Sequence, residues 1–232
     1  MDSLALELID NLNNNQMTEF FKNYAMYAKK HTKINFMSIT IFDPIVFSNY
    51  NEINGLYYIE NYLTSEELQL IKDFINSEAN LQPLTPSSLQ SRRVAHYGYY
   101  YAYDRSGLTA APKIPDSLLK IVEPDRLNRM IGPLVNKPFE QLIINEYRYR
   151  NGISKHIDHP EQFGPIIACI TIGQCAPIIF RNSQSQSKIK ISPAEGSIYI
   201  MTGDSRYQWT HELTNTGTET RYSLTYRTIK KN

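Results

Sequence analysis

The sequence predicts a mainly β body with flanking helices, an α+β fold of the sandwich or jelly-roll type. Three observations carry this. Six short strand patterns (142–148, 166–172, 177–181, 188–192, 197–201 and 221–229) fill the later part of the chain, separated by turns such as Arg181-Asn182-Ser183. Helical periodicity is confined to short segments before Leu142. The longest uncharged run, Gln162 to Phe180, has the length of a membrane helix, but Pro165, Gly173, Gln174 and Pro177 interrupt it. Isoleucines dominate the remainder, which predicts two buried strands with a turn between them.

The elements follow in order. Leu4, Leu6, Leu8, Ile9 and Leu12, then Phe20, Phe21, Tyr24, Met26 and Tyr27, fall mostly at helical spacings within 1–34, with a turn at Asn13-Asn14-Asn15. Residues 37–62 alternate loosely and include the strand pattern Leu56-Tyr57-Tyr58-Ile59. Thr64 and Glu67 form a T-x-x-E capping box that opens a helix with Leu68, Ile71, Phe74 and Ile75 on one face. Residues 81–91 are a Pro/Ser-rich loop. A helix is expected over Ser117–Val122 and another after Pro124. No internal repeat is visible.

The 232 residues suffice for one domain, or one domain with an appendage. Twenty-four Lys and Arg against 23 Asp and Glu leave a net charge of +1, which excludes a strongly basic nucleic-acid coat but not a local groove. Cys169 and Cys175 make neither a disulfide framework nor a zinc-finger spacing. The N-terminus carries Asp2, Glu7 and Asp10 and no early cation, unlike a signal peptide. These features predict an intracellular protein, cytoplasmic or nuclear, without a membrane partner; a monomer is expected. No arginine precedes Arg92, so anionic ligands are expected in the later part of the chain.

The strongest chemical signal is His156-Ile157-Asp158. On extended backbone, residues i and i+2 share a face, so an imidazole and a carboxylate converge; on a helix they would diverge. His211, 53 positions after Asp158, is the natural third ligand. Two His and one carboxylate suit non-haem Fe(II) with positions left open. A solvated His/Asp pair is the bland reading of the tripeptide alone. His159 should point away by strand alternation, and His31 and His96 read as structural or exposed. The second signal is Arg221 to Arg227: period two puts Arg221, Ser223, Thr225 and Arg227 on one face, with Tyr222, Leu224 and Tyr226 on the other. A guanidinium there suits the distal carboxylate of a dicarboxylate; an edge strand with its polar face in water is the alternative. Asn145 and Tyr147 share a face on the strand leading to His156 and can hydrogen-bond a carboxylate. Tyr97, Tyr99, Tyr101 and Tyr103, after Arg92 and Arg93, are expected on one strand face, suiting splayed bases and phosphates or else packing against helices.

The ordered set Asn145-x-Tyr147, His156-x-Asp158, His211 and Arg221-x5-Arg227 resembles the AlkB family of Fe(II)/2-oxoglutarate dioxygenases. The wording of 92–99 and 201–211 is especially similar to the AlkB domain of the family's eukaryotic tRNA-modifying homologue. The resemblance implies an AlkB-like domain (55–232) with a double-stranded β-helix core, and residues 1–54, outside it, read as an N-terminal helical and extended appendage. It implies Fe(II), 2-oxoglutarate and O2 as cofactor and cosubstrates, with His156, Asp158 and His211 as both metal ligands and catalytic centre. It assigns Arg221 to the distal carboxylate, Asn145 and Tyr147 to cosubstrate binding, Arg227 to a place near iron and cosubstrate, and Tyr99 to the substrate lid. Arg92 and Arg93 are candidate substrate contacts. Arg206 is another, with a structural salt bridge equally open. The bacterial repair enzyme carries an acidic residue two places after the iron aspartate; here that place is Pro160. The implied activity is hydroxylation or oxidative demethylation of a modified base in DNA, RNA or tRNA, presented single-stranded or flipped. A non-catalytic nucleic-acid or protein-binding module, and a protein side-chain hydroxylase, are the alternatives.

Overall fold

The computed structural model describes residues 46–85, 91–102 and 107–230. The helices expected within 1–34, His31 and Tyr103 lie outside the described residues. In chain order the strands are β1 (Val46–Ser48), β2 (Leu56–Ile59), β3 (Gln82–Pro83), β4 (Arg93–Tyr97), β5 (Tyr99–Tyr101), β6 (Leu108–Ala110), β7 (Gln141–Tyr147), β8 (Gly152–His156), β9 (Phe163–Gly173), β10 (Ile178–Asn182), β11 (Lys188–Ile191), β12 (Ile198–Met201), β13 (Trp209–Thr214) and β14 (Arg221–Ile229). The helices are α1 (Ser65–Ser77), α2 (Asp116–Ile121), α3 (Pro124–Ile131) and α4 (Gly203–Tyr207).

Among the described residues the strands form an eight-stranded sheet, order β1-β2-β12-β9-β14-β7-β4-β3, a four-stranded sheet, order β11-β10-β13-β8, and a β5–β6 ribbon. The large sheet is buried on both faces. One face packs Leu142, Ile144, Ile170, Ile200, Leu224 and Tyr226 against Ile71 and Phe74 of α1, Leu118 of α2 and Leu127 of α3. The other packs Tyr147, Ile167, Cys169 and Met201 against Ile178, Phe180 and Leu213 of the small sheet. Two covered faces explain why β9 reads as a continuous apolar run rather than an alternation. No helix among the described residues is long and apolar enough to cross a membrane.

Local signals place the helices as expected. The Glu67 amide donates to Thr64 Oγ1 at 3.2 Å and the Thr64 amide to Glu67 Oε2 at 3.0 Å, completing the capping box of α1. Pro124 sits in the first turn of α3, where its missing N–H has no partner to lose.

Two expectations are revised and one alternative is excluded. The tyrosine row is not one strand: the chain turns at Gly98, whose φ of +75° and missing Cβ are both required, since a Cβ would lie 1.9 Å from the Glu140 carbonyl oxygen. Tyr97 therefore packs in the helix-side core, while Tyr99 and Tyr101 belong to the ribbon. The face carrying Arg221 is not a solvated edge, because β14 is central, between β9 and β7. The strand ends at His156, so alternation does not reach His159, which lines the same cavity as Asp158. β1, just before the expected boundary at 54/55, pairs with β2 just after it.

Candidate metal and cosubstrate site

A cavity of about 610 Å³ opens between the two sheets. Its wall carries His156, Asp158, His211, Asn145, Tyr147, Arg221, Arg227 and Arg92. Strand register explains the convergence. His211 of β13 stands directly opposite His156 of β8, with ring centroids 4.3 Å apart. Asp158 follows two residues after β8 ends, and its Oδ2 lies 3.6 Å from His211 Nε2. The donor atoms of the three residues all lie within 4.8 Å of one another.

The donor chemistry suits a ferrous ion. His156 Nδ1 lies 2.8 Å from the Ser154 carbonyl oxygen, and a bond donated there leaves Nε2 as the lone-pair nitrogen. Burial, reinforced by His156, pushes the His211 imidazole down to about 3 despite the attraction of Asp158, so it is neutral at pH 7. Burial alone would raise the Asp158 carboxyl. Arg227, His211 and His156 outweigh it and hold the group well below the usual carboxylate range. Two imidazoles and one carboxylate on one side of a cavity are the ligand set of a facial triad.

The second half of the site is cationic. Arg221 is 1% exposed, its Nη2 donates to Thr171 Oγ1 at 2.9 Å, and its buried Nε has no acceptor among the described residues. A buried guanidinium short of acceptors fits a carboxylate. Tyr147 and Ser223 flank it: register pairs Tyr147 with Arg221 and Asn145 with Ser223. Burial raises the Tyr147 phenol against the pull of Arg92 and Arg221, so it remains a proton donor. Asn145 Nδ2 donates to Ser223 Oγ at 3.4 Å, and its Oδ1 accepts from Arg92 Nε at 3.2 Å. At the far end of β14, Arg227 pairs through Nη2 with Asp158 Oδ1 and covers the Phe163 ring at 4.8 Å.

Three of the expected substrate contacts lie off the cavity wall. Arg93 points to the other side of β4 from Arg92; it pairs with Glu146 at 3.3 Å and donates to the Leu81 carbonyl at 2.8 Å. Arg206 is 2% exposed beneath the metal loop, where Nη1 donates to the Asp158 carbonyl at 2.8 Å and Nε to the Gly164 carbonyl at 3.2 Å. That makes it a support for residues 158–164 rather than part of the wall. For Tyr99, the neighbour Tyr101 takes the wall instead. Sequence reading missed Thr171, Tyr199 and Gln141. Gln141 was reachable by extending the alternation of Asn145 and Tyr147 back along the strand; Thr171 and Tyr199 come from β9 and β12, two strands with no polar periodicity.

One pH effect follows from His211. Its folded value near 3 lies below the unfolded value near 6.5, so its contribution to stability is complete above pH 6.5 and is lost as pH falls toward 3. Between pH 6.5 and 5 that is about 2 kcal/mol. His96, pushed down to about 4 by burial, titrates in the same window, so the informative comparison is with a variant. The urea midpoint of the metal-free wild type should fall more between pH 7 and pH 5 than that of His211→Asn. Equal falls would overturn the buried neutral imidazole.

Comparison with known proteins agrees with this geometry. The chain is similar to mouse "tRNA (carboxymethyluridine(34)-5-O)-methyltransferase ALKBH8", 29% identical over 163 residues, covering 69% of this chain and 24% of that protein. It thus spans about a quarter of the length of that relative. It is also similar to uncharacterized protein L905 of Acanthamoeba polyphaga mimivirus, 29% identical over 196 residues, covering 77% of this chain and 87% of that one. Among solved structures, OsALKBH1 superposes with a TM-score of 0.57 at 15% identity, covering 75% and 97% of the two chains. A Pseudomonas putida prolyl-4-hydroxylase follows at 0.55 and 13%, covering 78% and 95%. These two share the jelly-roll fold. At such a site iron, 2-oxoglutarate and O2 would together supply the oxidising power. His156, Asp158 and His211 form the triad that would hold the ion. Residues 55–227 match the family described as the 2OG-Fe(II) oxygenase superfamily, and the chain belongs to it as an AlkB-like member.

Proposed function

We propose that the protein hydroxylates or oxidatively demethylates a modified base in nucleic acid. In this reading His156, Asp158 and His211 hold the iron, and Arg221, with Thr171, Asn145 and Tyr147, seats 2-oxoglutarate. The observation that carries the substrate class is the rim of the cavity. Arg92, Lys155 and Tyr101 stand on its wall. Between the lining residues Tyr147 and Ile153, the β7–β8 turn presents Tyr149 and Arg150, while Arg148 pairs with Glu146 at 3.3 Å. Tyr149 is 55% exposed, with the Arg150 guanidinium 5.0 Å from its ring centroid. Arg150 holds a φ of +65°, a conformation that costs about 1 kcal/mol in a non-glycine residue, and its amide is tied to the Asn215 carbonyl at 2.7 Å. Cations and a stacking face beside a pocket match the phosphates and base of an extruded nucleotide. The names of two relatives point the same way: the mouse protein is named for tRNA, and an Arabidopsis thaliana relative, 25% identical over 183 residues, is an "Alkylated DNA repair protein ALKBH8 homolog".

The test is succinate formation across methylated single-stranded oligonucleotides, wobble-uridine-modified tRNA and peptides, with mass spectrometry of the products. Stimulation by a nucleic acid is expected, with gain of one oxygen or loss of a methyl group from a base. Turnover stimulated by peptide alone would overturn the reading. So would nucleic-acid binding that is unchanged in His211→Ala and accompanied by no 2-oxoglutarate consumption in the wild type.

A further inference from the structure

We infer that Gln141 is a positioning residue that ties the β5–β6 ribbon to the metal-ligating carboxylate, so that metal loading and the order of the ribbon are coupled. Gln141 is 0% exposed, and a buried primary amide must satisfy both of its ends. Its Oε1 accepts from Arg227 Nη1 at 3.0 Å, and its Nε2 donates to the Tyr99 carbonyl oxygen at 3.0 Å. Arg227 in turn grips Asp158 Oδ1. An unbroken series of hydrogen bonds therefore runs from ribbon backbone through amide and guanidinium to a carboxylate of the triad. A second path runs alongside: the Tyr101 ring packs on Phe163 at 5.5 Å, and the Arg227 guanidinium covers Phe163 at 4.8 Å.

The ribbon needs such ties. It is a two-stranded sheet of three residues a side, separate from both larger sheets, and an isolated pair of that size is marginal in water. The coupling has a definite sign. Arg227 holds Oδ1 of Asp158, while Oδ2 faces His211 Nε2 at 3.6 Å. A metal taken up by the triad thus leaves the Arg227 bond in place and immobilises the carboxylate that anchors it. Ordering Asp158 orders Arg227, Gln141 and the Tyr99 carbonyl in turn. By linkage, the factor by which the metal favours the ordered ribbon is the factor by which the ordered ribbon favours the metal. The inference stands on the iron site alone and goes beyond the base-oxidation reading, since it is the same for any substrate.

Mn(II) alone is the probe. Its affinity is measured by calorimetry, and amide hydrogen exchange is followed at Tyr99–Tyr101 and Leu108–Ala110 with β9 and β14 as internal references. In the wild type Mn(II) should slow ribbon exchange about fivefold or more. Gln141→Met fills the space without either hydrogen bond. It should bind Mn(II) about fivefold more weakly and show ribbon exchange indifferent to the metal. Gln141→Glu keeps an acceptor for Arg227 but cannot donate to the Tyr99 carbonyl. It too should bind Mn(II) more weakly than the wild type and lose the ribbon response. The inference is overturned if either variant, with unchanged exchange in β9 and β14, retains wild-type metal-induced protection. It is overturned too if the wild-type ribbon ignores Mn(II), or if Gln141→Met speeds ribbon exchange yet leaves Mn(II) affinity unchanged. None of these readouts uses nucleic acid, so failure of the base-oxidation reading would be seen separately.

Discussion

Replacing Arg221 with methionine is expected to raise the KM for 2-oxoglutarate about 100-fold while making the cosubstrate-free protein more stable. The first effect is loss of a buried charge-assisted pair, a change that costs about 2–5 kcal/mol when one partner is truncated. The second has the opposite sign because the cation is already short of partners: among the described residues its Nε has no acceptor, and Thr171 Oγ1 satisfies only one branch of the guanidinium. Exchanging a buried, poorly compensated charge for an apolar side chain of similar length is neutral or stabilising by about 1–4 kcal/mol. A thermal melt of the cosubstrate-free protein and a 2-oxoglutarate titration check the two halves. A variant that loses stability and keeps its KM would mean that Arg221 is a structural residue and the dicarboxylate binds elsewhere.

Asp158→Ala should abolish succinate formation and weaken Mn(II) by more than the roughly 10–100-fold that losing a mere outer-shell partner costs. It should also destabilise the protein by about 3–5 kcal/mol, because Arg227 is then left buried without its anion. The double variant Asp158→Ala/Arg227→Met separates the two consequences. It should recover most of the stability and none of the metal binding. Calorimetry with Mn(II) and urea unfolding of the three proteins complete the cycle. Additive stability losses in the double variant would show that the Asp158–Arg227 pair is not the coupled unit its geometry implies.

How far the site was legible depended on the length of the signal each residue carries. His156 and Asp158 were readable because an imidazole and a carboxylate two positions apart can reach one ion, although Asp158 already lies beyond the end of β8. Arg221, Ser223, Thr225 and Arg227 were readable because alternate positions on extended backbone share a face over seven residues. His159 was misplaced because alternation was carried past the end of β8. The tyrosine row failed at Gly98, whose positive φ ends β4 and starts the ribbon in a new direction. Arg93 and Arg206 illustrate the opposite limit. A local pattern marks an arginine as available for anions but cannot show that Glu146 or a set of backbone carbonyls already occupies it.

The chain by itself determined the β-rich class, the capping of α1, the polar face of β14 and the pairing of His156 with Asp158, since each is written in periodicity or spacing over a few neighbours. Only tertiary structure decided that this polar face lies inside. That requires β14 to sit between β9 and β7 with helices on one side and a second sheet on the other. It alone set His211 opposite His156, linked the Tyr99 carbonyl to Asp158 through Gln141 and Arg227, and buried Arg206 under the metal loop. The physical reason is range: hydrophobic periodicity reports which side of one element is apolar, whereas strand order and register are fixed by contacts between elements remote in the chain.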